Sequence, residues 1–111
     1  MEAVPKKLID YENNYGECPL REWLKELDGA IRARIEARLK RAALGNLGDV
    51  KTVGHGVNEL RLDFGSGYRV YFGQHGEEII VLLCGGDKSS QSKDIEMAQS
   101  YWLDFKKRNN D

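Results

Sequence analysis

The sequence predicts an α+β fold: a small antiparallel sheet with a helical hairpin before it and one helix after it. Three observations carry that expectation. Apolar residues recur at helical spacing from Pro19 to Leu44, alternate with polar ones from Asp49 to Phe72, and return to helical spacing after Ser90. Glycine-rich turns punctuate the middle stretch at Gly54–Gly56, Gly65–Gly67 and Gly73–Gly76. The run EIIVLLCG, residues 78–85, is apolar on both faces. That pattern suits a central strand covered on both sides, or one whose outer face lies in a cleft.

The elements follow in order. Val4 to Tyr11 contains a short β-like run, and Pro5 near its start suggests a sheet edge or the entry to the strand. Asn13, Asn14 and Gly16 mark a turn. Pro19 suits the first turn of a helix, where its missing N–H costs nothing. Leu20, Trp23, Leu24 and Leu27 then share one face. Asp28 is placed to cap a second helix. That helix carries Ile31, Ile35, Leu39 and Ala42 on one stripe, with Arg34, Arg38 and Arg41 beside it. Gly45-Asn46 is its expected stop. Lys51 to Val53 form a short strand. Leu60, Leu62 and Phe64 are expected to point to the core from the next one, leaving Val57, Glu59, Arg61 and Asp63 on the opposite face. In the strand after Gly65–Gly67, Tyr68, Val70 and Phe72 continue the core face, and Arg69 and Tyr71 fall on the other. The last helix, from about Ser90, places Ile95, Ala98, Trp102 and Phe105 on one stripe, with Ser89 and Ser90 as cap candidates.

At 111 residues, 41% apolar and 32% charged, the chain is expected to form one domain over residues 1–111. No apolar run is long enough to span a bilayer, and MEAVPKKLIDY lacks the apolar core of an export signal. Cys18 and Cys84 stand in no metal or redox spacing. Together these features predict a reduced, cytoplasmic protein, with Cys84 a small core residue. A net charge of −1 excludes strong attraction to nucleic acid by overall charge, so any such function needs a local patch. One exists: between Ala30 and Leu44, five basic residues meet the single acid Glu36. That stripe reads either as an RNA-binding face or as a solvated one.

Chemistry concentrates between Glu59 and Asp94. If the strands pair across Gly65–Gly67, Arg61 and Arg69 share a face, and two guanidiniums suit a phosphodiester. Glu59 and Tyr71 lie on that face as a proton acceptor and a stacking or hydrogen-bonding group. The alternative is a set of cross-strand salt bridges on a solvated sheet surface. The junction Gly85-Gly86-Asp87-Lys88-Ser89-Ser90 presents glycines that admit close backbone approach, a lysine, two hydroxyls and a helix N-terminus. Taken alone it reads first as a glycine turn with a serine cap. His55 and His75 each sit in a glycine turn without metal-ligand spacing.

The series Gly56-Val57-Asn58-Glu59-Leu60-Arg61, Gly65-Ser66-Gly67-Tyr68-Arg69-Val70-Tyr71-Phe72, Leu82-Leu83-Cys84-Gly85-Gly86-Asp87-Lys88-Ser89-Ser90-Gln91, then Lys93-Asp94-Ile95 and Ala98, resembles the RelE/ParE toxin superfamily. Within it, the chain is most similar to the HigB-like, phage Gp49-like "addiction module killer" branch of type II toxin–antitoxin systems. The resemblance implies a curved antiparallel sheet, and a toxin neutralised by a partner antitoxin, typically a helix-turn-helix protein. For RelE-like and HigB-like members it implies a metal-independent endoribonuclease that cuts mRNA in the ribosomal A site, with no cofactor. Arg61, Arg69 and Lys88 are then the expected catalytic residues, Glu59 and Tyr71 supporting ones. Lys51, His55, Ser89 and Ser90 are expected RNA contacts. Glu59 stands where RelE-type members carry lysine, which leaves the general base open among Glu59, a displaced lysine and His55. ParE-like members inhibit DNA gyrase by protein contact, and a degenerate toxin would retain antitoxin binding alone. The slightly acidic balance also departs from the usual basic character of such toxins.

Overall fold

The computed structural model describes residues 5–109, so Val4, the predicted start of the first strand, lies outside the described residues. Along the chain run β1 (Lys7–Asp10), α1 (Pro19–Glu26), α2 (Gly29–Ala43), β2 (Val50–Thr52), β3 (Val57–Arg61), β4 (Arg69–His75), β5 (Ile79–Gly86), a 3-10 turn (Lys88–Ser90) and α3 (Gln91–Arg108). The strands form one five-stranded sheet in the order β1-β5-β4-β3-β2. β2 to β5 are antiparallel neighbours, whereas β1 joins the far edge parallel to β5. The α+β class and the helix order are those expected, and the parallel edge strand makes the sheet mixed.

Each helix terminus follows from its residues. Pro19 occupies the start of α1, and the Asp28 carboxylate accepts the Ala30 N–H at 3.1 Å to begin α2. At the other end Gly45, with φ +95°, donates its N–H to the Ala42 carbonyl and turns the chain out of the helix.

Both faces of the sheet are covered. On one, α1 and α2 bury Leu20, Leu24, Ile35 and Leu39 against Leu60, Leu62, Val70, Phe72, Ile80 and Leu82. Each large side chain so enclosed contributes about 1.5–3 kcal/mol of transfer free energy. On the other, α3 packs Ala98 and Trp102 on Val57, Tyr71, Val81 and Leu83. The face of β3 and β4 that alternation alone left open to water is therefore a second core. β5 lies between β1 and β4, buried on both sides, as its unbroken apolar run predicts. A bulge between Tyr71 and Phe72 pairs Tyr71 with Cys84 and Phe72 with Leu82. Leu83 is the extra residue, so both Leu83 and Cys84 join the α3-side cluster. Cys84 is buried as expected, and burial pushes its thiol up to about 12.

Three local expectations need correction. Gly73 is not a turn residue: β4 runs on to His75, and the turn follows at Gly76. Gly73 lies beneath Trp102, where an added Cβ would approach Cε3 to 2.4 Å. Gly85 and Gly86 end β5, and what approaches them is the Trp23 ring and the Asp94 carboxylate, which fill the space a ligand would need. Ser90 occupies the N-cap of α3 without a capping bond; the cap is Asp87, whose carboxylate accepts the Ser89 N–H at 2.9 Å. Sequence position favoured the serines, but the extra 3-10 turn shifts the first free N–H groups back onto Asp87.

Candidate functional site

Pairing of β3 with β4 sets Arg61 directly opposite Arg69, and Glu59 opposite Tyr71. Directly opposed like charges destabilise a sheet unless something neutralises them. Glu59 does so. Its side chain has 0% exposure, and its Oε1 accepts from Arg61 Nε at 2.8 Å. Oε2 accepts from Tyr71 Oη at 3.1 Å and from Gln91 Nε2 at 2.9 Å. Arg69 Nε lies 3.5 Å from the same oxygen. One carboxylate thus gathers donors from β3, β4 and the first residue of α3.

Burial by itself would push the Glu59 carboxyl up. The hydrogen bonds from Arg61, Gln91 and Tyr71 outweigh it and hold the group below the usual carboxylate range. Burial, followed by the charge of Glu59, drives the Tyr71 phenol far above its ordinary value. Tyr71 is therefore a neutral donor, and Glu59 an ionised acceptor of three hydrogen bonds.

The two arginines differ in access. Arg61 is 37% exposed, whereas Arg69 is 11% exposed. Arg69 Nη1 donates to the Gly67 carbonyl at 2.7 Å, which locks the β3–β4 hairpin to the guanidinium. Its Nε is buried without a hydrogen-bond partner. The Lys88 N–H donates to the Ser66 carbonyl at 3.3 Å and fastens the β5–α3 junction to this hairpin. The Lys88 side chain is exposed beside Gly67, so Arg61, Arg69 and Lys88 cluster at one end of the sheet.

Two open depressions meet there. One, of about 460 Å³, is lined by Gly67, Tyr68 and Arg69 together with Asp49, Arg61, Leu62 and Asp63. The other, of about 480 Å³, shares those last four residues and continues to Arg34, Arg38, Arg41 and Phe64. Arg61 stands at their junction. The α2 arginine stripe, separate in the sequence, is thereby continuous with the strand arginines.

The other expected contacts are scattered. Lys51 is exposed on the edge strand β2, paired in register with Glu59. Ser89 and Ser90 border the site with their hydroxyls already engaged: Ser89 Oγ donates to Asp87 at 2.6 Å and Ser90 Oγ to Asp94 at 2.5 Å. His55, exposed at φ +55°, lines a different depression with Gln99, Leu103 and Lys106. It precedes β3, whose length of about 13 Å separates it from the Arg61 end. Among the described residues no three His, Cys, Asp or Glu side chains gather as a metal site. Sequence reading gave Gln91 no role. A glutamine at the start of a helix carries no signal until β3 is known to lie beneath it.

The class this arrangement defines is a small α+β protein whose sheet end presents a pair of opposed arginines on an arginine-lined surface. Residues 22–100 match the family described as "Phage derived protein Gp49-like (DUF891)", and the chain belongs to that family, within the RelE/ParE-like toxin superfamily. It is also similar to an uncharacterized protein of Haemophilus influenzae, 50% identical over 78 residues that cover 69% of this chain and 79% of that protein. Membership brings with it the toxin–antitoxin setting and an antitoxin partner. Among the described residues no helix is long and apolar enough to cross a membrane.

Proposed function

We propose that this protein is the toxin of a type II toxin–antitoxin pair, acts in the cytoplasm as a single-domain, metal-independent mRNA endoribonuclease at the ribosome, and is silenced by a helix-turn-helix antitoxin. The observation that carries the reading is the Arg61–Arg69 pair, opposed across β3 and β4, anchored on a buried carboxylate and open on one side to a concave surface. A protein that inhibits a partner enzyme by contact has no need of two guanidiniums held at fixed spacing. A ribonuclease does, because negative charge builds on the phosphoryl oxygens in the transition state.

In the proposed reaction the ribose 2′-oxygen attacks the adjacent phosphorus in line. The O2′–P bond forms as the P–O5′ bond breaks, leaving a 2′,3′-cyclic phosphate and a 5′-hydroxyl. Arg61 and Arg69 hold the non-bridging oxygens, and Lys88 supplies a proton to the leaving 5′-oxygen. Glu59 is fully buried and already accepts three hydrogen bonds, so its part is to position both arginines. In this reading one of the two carboxylates that border the depression, Asp49 or Asp63, receives the 2′-OH proton.

The test is induced expression with mapping of mRNA 5′ ends, comparing wild type with Arg61→Ala. Cuts at codon-periodic positions, bearing 5′-hydroxyls that ligate only after phosphorylation, are expected for wild type and absent for the variant. Intact mRNA together with blocked gyrase supercoiling would transfer the protein to the ParE-like mode. Antitoxin binding with neither effect would mark a degenerate toxin.

A further inference from the structure

Arg34, Arg38 and Arg41, which line the groove between α2 and β3, have no place in the chemistry just described, which uses Arg61, Arg69, Lys88 and a carboxylate at Asp49 or Asp63. We propose that the groove is a single-stranded RNA-binding track that holds the nucleotides next to the scissile phosphate, with a stacking platform at Phe64 and a phosphate contact at Arg41. The inference deepens the ribonuclease reading and rests on it for the identity of the scissile phosphate.

Three features point to RNA as the occupant. First, charge: the groove wall carries Arg34, Arg38 and Arg41, and its floor Arg61, against Asp49 and Asp63. Arg34 and Arg41 are seven residues apart on one helix, about 10 Å along its axis, so they address successive points on an extended anionic chain. Second, shape: the Arg34 guanidinium carbon lies 3.9 Å from the centroid of the Phe64 ring. A guanidinium layered on an aromatic ring offers a flat outer face on which any base can stack. An acidic peptide would use the charge but not the flat face. Third, continuity: Arg61, Asp49, Leu62 and Asp63 line both depressions, so a strand in the groove leads directly to the Arg61–Arg69 pair.

Arg38 has a different part. Its Nη1 donates to the Asn46 carbonyl at 3.2 Å and its Nη2 to the Leu47 carbonyl. It fastens the α2–β2 loop that carries Asp49 and so shapes the wall. The local density of arginine here also reconciles RNA binding with a chain whose net charge is −1.

The probe is a fluorescently labelled single-stranded oligoribonucleotide of about a dozen nucleotides, titrated by anisotropy at several salt concentrations. Arg61→Ala serves as the non-cleaving background for every variant. Arg41→Ala should weaken binding and reduce the slope of log K against log salt by about 0.7, the share of one phosphate contact on a single strand. Phe64→Leu should weaken binding about fivefold or more without changing that slope, because stacking releases no counterions. Lys107→Ala removes the same charge from the exposed end of α3 and should change neither quantity. Unaltered thermal melts establish that the variants are folded. The proposal is overturned if the oligoribonucleotide does not bind, if Arg41→Ala and Phe64→Leu bind like their background, or if both lose affinity for an acidic peptide and not for RNA. These outcomes are separable from the proposed activity: mRNA cuts that persist with an inert groove sink only the track, and groove-dependent binding without cuts sinks only the nuclease.

Discussion

Replacing Glu59 by glutamine tests the central claim about the site, that this carboxylate organises the arginines and is not the base. The side chains are isosteric, so packing is conserved and charge is what changes. Three hydrogen bonds end on the carboxylate, and the nearly buried Arg69 lies 3.5 Å from it. Removing one partner of a fully buried ion pair costs about 3–5 kcal/mol. Arg61 is more than a third exposed, so solvent recovers much of its share, and the amide still satisfies some of the donors. The net loss is about 2–4 kcal/mol. At about 4 °C per kcal/mol for a chain of this size, Tm falls by roughly 8–16 °C. The pH dependence carries a sign. Glu59 is held below its ordinary pKa in the folded state, so its stabilisation is present above the unfolded value of about 4.3 and is lost as pH falls through the folded one. The gap between wild type and variant, measured by chemical denaturation, should be full at pH 7 and close on acidification below about pH 4. A Tm within 2 °C of wild type, or a gap that stays constant to pH 3, refutes the reasoning. A base would behave otherwise: cleavage would drop about 10²–10⁴-fold with Tm unchanged.

Gly73→Ala should lower Tm by roughly 4–12 °C, since a Cβ 2.4 Å from the Trp102 ring over-packs the α3 interface at a cost of about 1–3 kcal/mol; differential scanning calorimetry and the tryptophan near-ultraviolet signal report it. Tyr11→Phe removes the 2.7 Å hydrogen bond to Asp104, which ties α3 to the chain just after β1, and should cost about 0.5–1.5 kcal/mol at neutral pH by urea denaturation. Burial and then Asp104 push the Tyr11 phenol up to about 12, so its stabilisation holds below the unfolded value of about 10 and is lost as pH rises to about 12. Wild type should therefore lose stability across that window, and the phenylalanine variant should lose less.

Much of this protein was legible before its structure. The helices declared themselves through Leu20, Leu24, Ile35 and Leu39, and the caps through Pro19, Asp28 and Gly45, because those signals are local. The shared face of Arg61 and Arg69 followed from strand alternation across one short hairpin. The state of Glu59 was not legible. Charged residues at alternate strand positions look the same whether water or a helix covers them. The stripe Ile95, Ala98, Trp102 and Phe105 does call for an apolar partner, but it does not say which face of the sheet supplies it. Gly73 and Gly85 misled for a related reason: a glycine that makes room for Trp102 or Trp23 is indistinguishable in sequence from one that turns the chain.

By itself the sequence determined the order and kind of the elements, the face to which each arginine belongs, and the family, since all three are written in spacing and residue identity along the chain. Only the tertiary structure decided what those arginines amount to. Docking α3 over β3 and β4 removed water from Glu59, and in that drier setting one ionised carboxylate must draw in Arg61, Arg69, Tyr71 and Gln91 or go unsatisfied. Packing α2 on the opposite face brought Arg34 and Arg41 up to Arg61. Charge acts through distance in space, and the distances among these groups are set by how the layers pack, which no spacing along the chain records.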